Sequence, residues 1–91
     1  MRIRWLPKSR HDLRRLYDFL VDVNPAAAAR RIDDLLDTVE TLLEYPRSGH
    51  VLDRFAPQEV RSWFIGDYEV RYERQDGLIT ILRIWHTRED R

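Results

Sequence analysis

"VRSWFIGDYEVRYERQDGLITILRIWH", residues 60–86, is where the hydrophobic period of the chain becomes two, and its reading decides the fold. VRSWFI is separated from DYEVRYE by Gly66 and Asp67, and the Gln75-Asp76-Gly77 turn leads into LITILRIWH. Short β-rich runs joined by such turns predict an antiparallel meander. In the middle run Tyr68, Val70 and Tyr72 share one face and Glu69, Arg71 and Glu73 the other, the pattern of a half-buried strand. The last run is apolar on both faces, with Leu78, Leu82 and Ile84 against Ile79, Ile81 and Trp85, as for a strand that is central or covered.

Upstream, YPRSGHVLDRFAPQE (45–59), with its prolines and glycine, reads as a loop. Before it the period is helical. Leu13, Leu16, Tyr17 and Leu20 fall at i, i+3, i+4 and i+7, predicting an amphipathic helix over about residues 8–22. Asn24-Pro25 is a helix start, since the Asn side chain accepts from first-turn N–H groups and proline at the first position loses no bond. The second helix places Ala28, Ile32, Leu35, Leu36, Val39, Leu42 and Leu43 on one broad face and is expected to end near Glu44 or Tyr45, ahead of Pro46. The short gap between the helices implies an antiparallel hairpin. MRIRWL, cut off by Pro7, suits a first strand. The expected architecture is α+β in the order β-α-α-β-β-β, one domain over residues 1–91 with the helical hairpin packed on a small antiparallel sheet.

At 91 residues the core must be small, yet 43% hydrophobic and 35% charged residues is a folding composition rather than a disordered one. With no cysteine there is neither a disulfide framework nor a thiolate nucleophile, which fits a reducing cytoplasm. No stretch has the apolar length of a signal peptide or a membrane span, so a soluble, cytoplasmic protein without membrane contact is expected. The net charge is zero, but Arg2, Arg4, Lys8, Arg10, Arg14, Arg15, Arg30 and Arg31 outweigh Asp12, Asp18 and Asp22 across residues 1–31, and acids dominate residues 32–59. Such asymmetry is ordinary for solvated helix faces and implies no sequence-specific DNA binding.

His11, His50 and His86 lack neighbours at ligand spacing, so neither a metal nor a cofactor is expected. Nucleophile-elbow, phosphate-loop and dinucleotide motifs are absent. Asp33-Asp34 and Glu89-Asp90 are explained by a solvated face and a tail. The informative cluster is in the C-terminal third: Arg61, Arg71, Arg83, His86 and Arg88 on neighbouring segments, with Tyr68 and Tyr72 between them. Arginine binds phosphate bidentately, aromatic rings stack on bases and histidine moves protons near neutral pH, so a metal-free ribonuclease site is one reading. The other is a solvated sheet face over a packed core.

Beyond these residue-level readings, several motifs recur in order: Asn24-Pro25 before an Ala-rich helix, Leu43-x-x-Pro46-x-x-Gly49, Val60-Arg61 followed by Tyr68-x-Val70-x-Tyr72, and Ile81-Leu82-x-Ile84-x-His86-x-Arg88-x-Asp90. Over nearly the whole chain this resembles the RelE/ParE superfamily of type II toxin–antitoxin toxins, and more closely its ParE branch. The resemblance implies a toxin of the plasmid-stabilisation type, neutralised by direct binding of a cognate antitoxin. Relatives of the ParE kind poison DNA gyrase without catalysis; those of the RelE kind are ribosome-dependent mRNA endoribonucleases. The ribonuclease branch implies an arginine directly after the central-strand tyrosine, where this sequence has Glu69, whose carboxylate would repel a scissile phosphate.

The gyrase-poison reading is therefore the expectation, with Arg61, Arg71, His86 and Arg88 as target contacts. An endoribonuclease would instead use Tyr68, Arg71, His86 and Arg88 as its acid–base and phosphate-binding groups. An inactive, toxin-shaped interaction module is the third alternative. Leu13, Leu16, Trp63 and Trp85 are the candidate antitoxin contacts, met by a helix in a groove beside the hairpin or by strand addition at a sheet edge.

Overall fold

The computed structural model describes residues 1–89; Asp90, which ends the closing motif and the Glu89-Asp90 pair, lies outside the described residues. Strand β1 (Arg2–Trp5) leads into helix α1 (Pro7–Val23) and helix α2 (Pro25–Glu40), which a 3-10 turn at Thr41–Leu43 extends. After a two-residue strand β2 (His50–Val51) and a second 3-10 turn (Asp53–Phe55) come β3 (Glu59–Ile65), β4 (Tyr68–Gln75) and β5 (Leu78–His86).

The five strands form one sheet in the order β1-β5-β4-β3-β2. The expected meander is present: β3 pairs with β4 and β4 with β5, both antiparallel. The sheet is nonetheless mixed, because β1 runs parallel to β5, Ile3 beside Ile79 and Trp5 beside Ile81. Strand direction leaves no trace in the alternation of side chains, so the first strand's orientation was set by where the helical hairpin returns the chain. β5 is interior, which accounts for its apolar residues on both faces. A register shift at Arg71/Tyr72 puts Ile81 opposite Tyr72 and Arg83 opposite Arg71. Asp76 and Gly77 both have positive φ, 52° and 75°, as a tight Asp-Gly hairpin requires.

The helices cover one face of the sheet. Leu16, Leu35, Val39 and Leu42 pack there against Val70, Tyr72, Ile79, Ile81 and Ile84. Asn24 caps as expected, its side chain accepting from the Ala27 N–H at 3.3 Å. The buried stripe of α1 is Ser9, Asp12, Leu16 and Leu20, rotated from the expected one, and Tyr17 is exposed. The polar members Ser9 and Asp12 are buried because each is hydrogen-bonded, Ser9 to the Leu6 carbonyl and Asp12 to β5. The α-helical part of α2 stops at Glu40, earlier than Pro46 alone predicts; the tighter turn that follows buries Leu42 and turns Leu43 outward.

The segment read as a plain loop is tied down by Tyr72. Its hydroxyl donates to the Pro46 carbonyl at 2.8 Å and accepts the Gly49 N–H at 2.9 Å. A Cβ on Gly49 would lie 2.8 Å from the Ser62 carbonyl oxygen, so only glycine fits. The Pro46-x-x-Gly49 spacing is thus the footprint of one buried tyrosine.

Candidate functional site

At the end of the sheet where β5 finishes, the C-terminal half of α1, the start of α2 and the β3–β4 turn leave a cleft of about 550 Å³. Phe19, Leu20 and Val23 supply its apolar wall; Arg31, Asp67, His86 and Arg88 supply charge and hydrogen-bonding groups. Phe19 and Val23 are 56% and 68% exposed, although they flank the buried Leu20 on an amphipathic helix. Their side chains give the cleft an apolar wall open to solvent.

His86 is set between two rings, its centroid 5.5 Å from Tyr68 in an edge-to-face arrangement and 6.3 Å from Phe19. Its Nδ1 accepts the Arg88 N–H at 3.1 Å, which fixes the ring and places Arg88 beside the cleft. Burial pushes the Tyr68 phenol above its ordinary 10.0, against the opposing pull of Arg31.

The remaining candidates lie elsewhere. Arg71 points to the helix-free face, where its guanidinium is 4.7 Å from the Trp85 ring and 5.6 Å from Phe55. Arg83 also stacks on Trp85, at 4.9 Å, and Arg54 on Phe55, at 4.9 Å, so cations and rings alternate along that face. Glu69, on the same face, is buried, accepting from Ser62 Oγ at 2.8 Å and lying 3.8 Å from an Arg71 nitrogen. It does not belong to a wet strand face. Arg61 is at the opposite end of the sheet, bonded to Glu59 at 2.8 Å and to the Gly49 carbonyl at 2.6 Å. Hydrogen bonds from Arg61 and Arg74 hold the Glu59 carboxyl below its ordinary range.

Residues 3–91 match the family model described as the ParE toxin of the type II toxin–antitoxin system parDE. The chain belongs to the ParE toxin family. It is 32% identical over 83 residues to Toxin RelE2 of Caulobacter vibrioides, a match spanning 90% of either chain. Its fold matches a chain from the chromosomal ParDE TA system of P. aeruginosa with a TM-score of 0.79 at 25% identity, covering 94% of this chain and 95% of the other.

It is a type II toxin–antitoxin toxin of the ParE/RelE family, and membership implies an antitoxin partner. Among the described residues, no helix is long and apolar enough to cross a membrane.

In this ParE-family toxin the sequence candidates divide by location. His86 and Arg88 line the cleft and Tyr68 packs against the His86 ring, whereas Arg71 and Arg61 occupy two other places. Of the antitoxin candidates, Leu16 is a core residue at 2% exposure and Trp85 lies under its arginines at 7%. Leu13 and Trp63 are half-buried around the helix-side core. Phe19, Val23 and Arg31 escaped the sequence reading. Phe19 and Val23 fall beside the stripe that ends at Leu20, and only the position of β5 turns that neighbourhood into a cleft.

Proposed function

We propose that this toxin arrests growth by trapping DNA gyrase on cleaved DNA, acting as a binding protein in the cytoplasm, with His86 and Arg88 at the end of β5 in contact with the enzyme. The supporting observation is the separation of the groups a ribonuclease would need. Tyr68 and His86 are in ring contact, but Arg71 projects from the other face of β4, and the position after Tyr68 holds the buried carboxylate of Glu69. A phosphate held against His86 would have Arg88, Arg31 and Arg15 in the same wall, but Arg15 is already engaged on Asp12 and Glu89, and Asp67 adds a further negative charge. That charge balance suits a protein contact better than a developing polyanion.

The cognate antitoxin, in this reading, lays an amphipathic helix on the Phe19–Val23 wall, with Leu13 and Trp63 at the margins of its contact. Because His86 and Arg88 line the same cleft, occupancy by antitoxin and contact with gyrase exclude each other. Neutralisation then needs no distant conformational change.

The test incubates purified toxin with gyrase, ATP and supercoiled plasmid and scores denaturant-trapped linear DNA, beside a reaction containing ribosomes and mRNA. Linear plasmid that antitoxin abolishes is the expected result. Intact plasmid with cut mRNA would assign a ribosome-dependent endoribonuclease instead, and neither product would leave an inactive antitoxin-binding module.

A further inference from the structure

β1 accompanies β5 only part of the way. The Leu6 N–H donates to the Ile81 carbonyl at 3.2 Å, and the chain then leaves for α1 at Pro7. β5 continues to His86, and beyond Ile81 no strand among the described residues lies on the side facing away from β4. A bare edge there would strand the backbone groups of Ile84, which is fully buried.

Side chains take the place of the missing strand. Asp12 Oδ2 accepts the Ile84 N–H at 2.9 Å, Arg15 Nη2 donates to the Ile84 carbonyl at 3.1 Å, and Glu89 Oε1 accepts the His86 N–H at 2.8 Å. The three are also bound to one another. Arg15 Nη1 donates to Asp12, while its Nε and Nη2 each meet a Glu89 oxygen at 3.0 Å. All three guanidinium nitrogens are engaged, on two carboxylates and a backbone carbonyl. Arg83 adds a second cation to Asp12 at 2.8 Å, so the buried carboxylate is neutralised as well as hydrogen-bonded. The turn that carries His86 and Arg88 is thereby fastened to α1, and Arg15 is the bridge.

We propose that Arg15, with Asp12 and Glu89, is a positioning device that substitutes side chains for a strand and holds the His86–Arg88 turn in the geometry its target contact requires. This rests on the reading that His86 and Arg88 touch the target. Arg15 and Glu89 line the cleft themselves, so the test must separate geometry from charge. Arg15→Lys does so: it keeps the cation but cannot reproduce a fork that serves two carboxylates and a carbonyl at once.

The experiment measures gyrase trapping and amide hydrogen exchange on wild type, Arg15→Lys, Glu89→Gln and the His86→Ala/Arg88→Ala double variant. The expected result for Arg15→Lys is about a tenfold loss of potency, the scale of one interface anchor, with faster exchange at Ile84 and His86 and unchanged protection at Val70 and Tyr72. Glu89→Gln, which retains an acceptor for the His86 N–H, should lose less. Full potency in Arg15→Lys while the double variant is inactive would overturn the positioning role alone. Unchanged exchange at Ile84 and His86 in Arg15→Lys would overturn the anchoring itself. Full potency in the double variant would remove the underlying target contact and the functional half of the proposal with it.

Discussion

Ser62 donates its hydroxyl proton to the Glu69 carboxylate at 2.8 Å, diagonally across the β3–β4 ladder, and both residues are buried. Glu69, which stands where the ribonuclease resemblance implies an arginine, is thus part of the sheet's own structure. Glu69→Gln keeps an acceptor for Ser62 and should cost under about 1 kcal/mol, whereas Glu69→Ala strips a buried hydroxyl of this acceptor and should cost about 1–3 kcal/mol. Glu69→Arg should destabilise further, by placing a second cation beside Arg71, and should not create mRNA cleavage. Thermal unfolding and a ribosome-bound mRNA assay check the three.

Tyr72 and Gly49 should behave as one unit. Tyr72→Phe leaves the Gly49 N–H and Pro46 carbonyl without the hydroxyl and is expected to cost about 1–3 kcal/mol. Gly49→Ala should destabilise as well, because its Cβ meets backbone rather than a movable side chain. Urea midpoints for the single and double variants would show less than additive losses if the contact is shared as described.

Leu16 and Phe19 stand on the same helix with opposite roles. Leu16→Ala should lose about 2–5 kcal/mol of stability, as a core truncation does. Phe19→Ala should stay within about 0.5 kcal/mol of wild type yet bind antitoxin about tenfold more weakly. Calorimetric titration beside thermal melts separates the two effects.

Arg61 and Arg88 should divide in the same way. Arg61→Ala removes the donor to the Gly49 carbonyl and one partner of Glu59, so its effect is expected in the melting temperature, not in gyrase trapping at temperatures where the protein is folded. Arg88→Ala, at an exposed position, should leave melting unchanged and reduce trapping. A trapping defect in fully folded Arg61→Ala would return that residue to the contact surface.

Stability should fall at both ends of the pH scale. Burial alone would raise the Asp12 carboxyl, but hydrogen bonds from Arg83, the Ile84 N–H and Arg15 outweigh it and hold the group below its ordinary 3.8. Glu89 is likewise held below 4.5, with Arg15 and the His86 N–H overcoming its burial. Groups lowered in this way contribute stability above their unfolded values, and that stability is lost as the pH falls through the folded ones. Burial raises the Tyr68 and Tyr72 phenols above 10.0, so their contribution is complete below that value and declines as the pH climbs past it. Urea midpoints should therefore be level from about pH 5 to 9 and fall on either side, and Tyr72→Phe should soften the alkaline limb.

The sequence by itself determined the helices, every strand except the two-residue β2, and the family. A period of two from Val60 to His86, a period near four on either side of Asn24-Pro25, and the Asp76-Gly77 turn are local signals, written in side-chain spacing and backbone preference. Even Pro46-x-x-Gly49 was legible as a motif before its cause was known. The tertiary structure decided what those signals do not carry. Pairing direction has no alternation pattern, so the parallel placement of β1 beside β5 came only with the packing of the helical hairpin. Asp12, Arg15 and Glu89 read as solvated charges because the groups they join lie some seventy residues apart in the chain: Asp12 and Arg15 meet the backbone of Ile84, exposed only where β1 stops short, and Arg15 meets the Glu89 carboxylate. Phe19 and Val23 became a cleft wall, and Glu69 a buried partner of Ser62, for the same reason: burial belongs to the surfaces that meet, and a chain read one residue at a time contains only one of them.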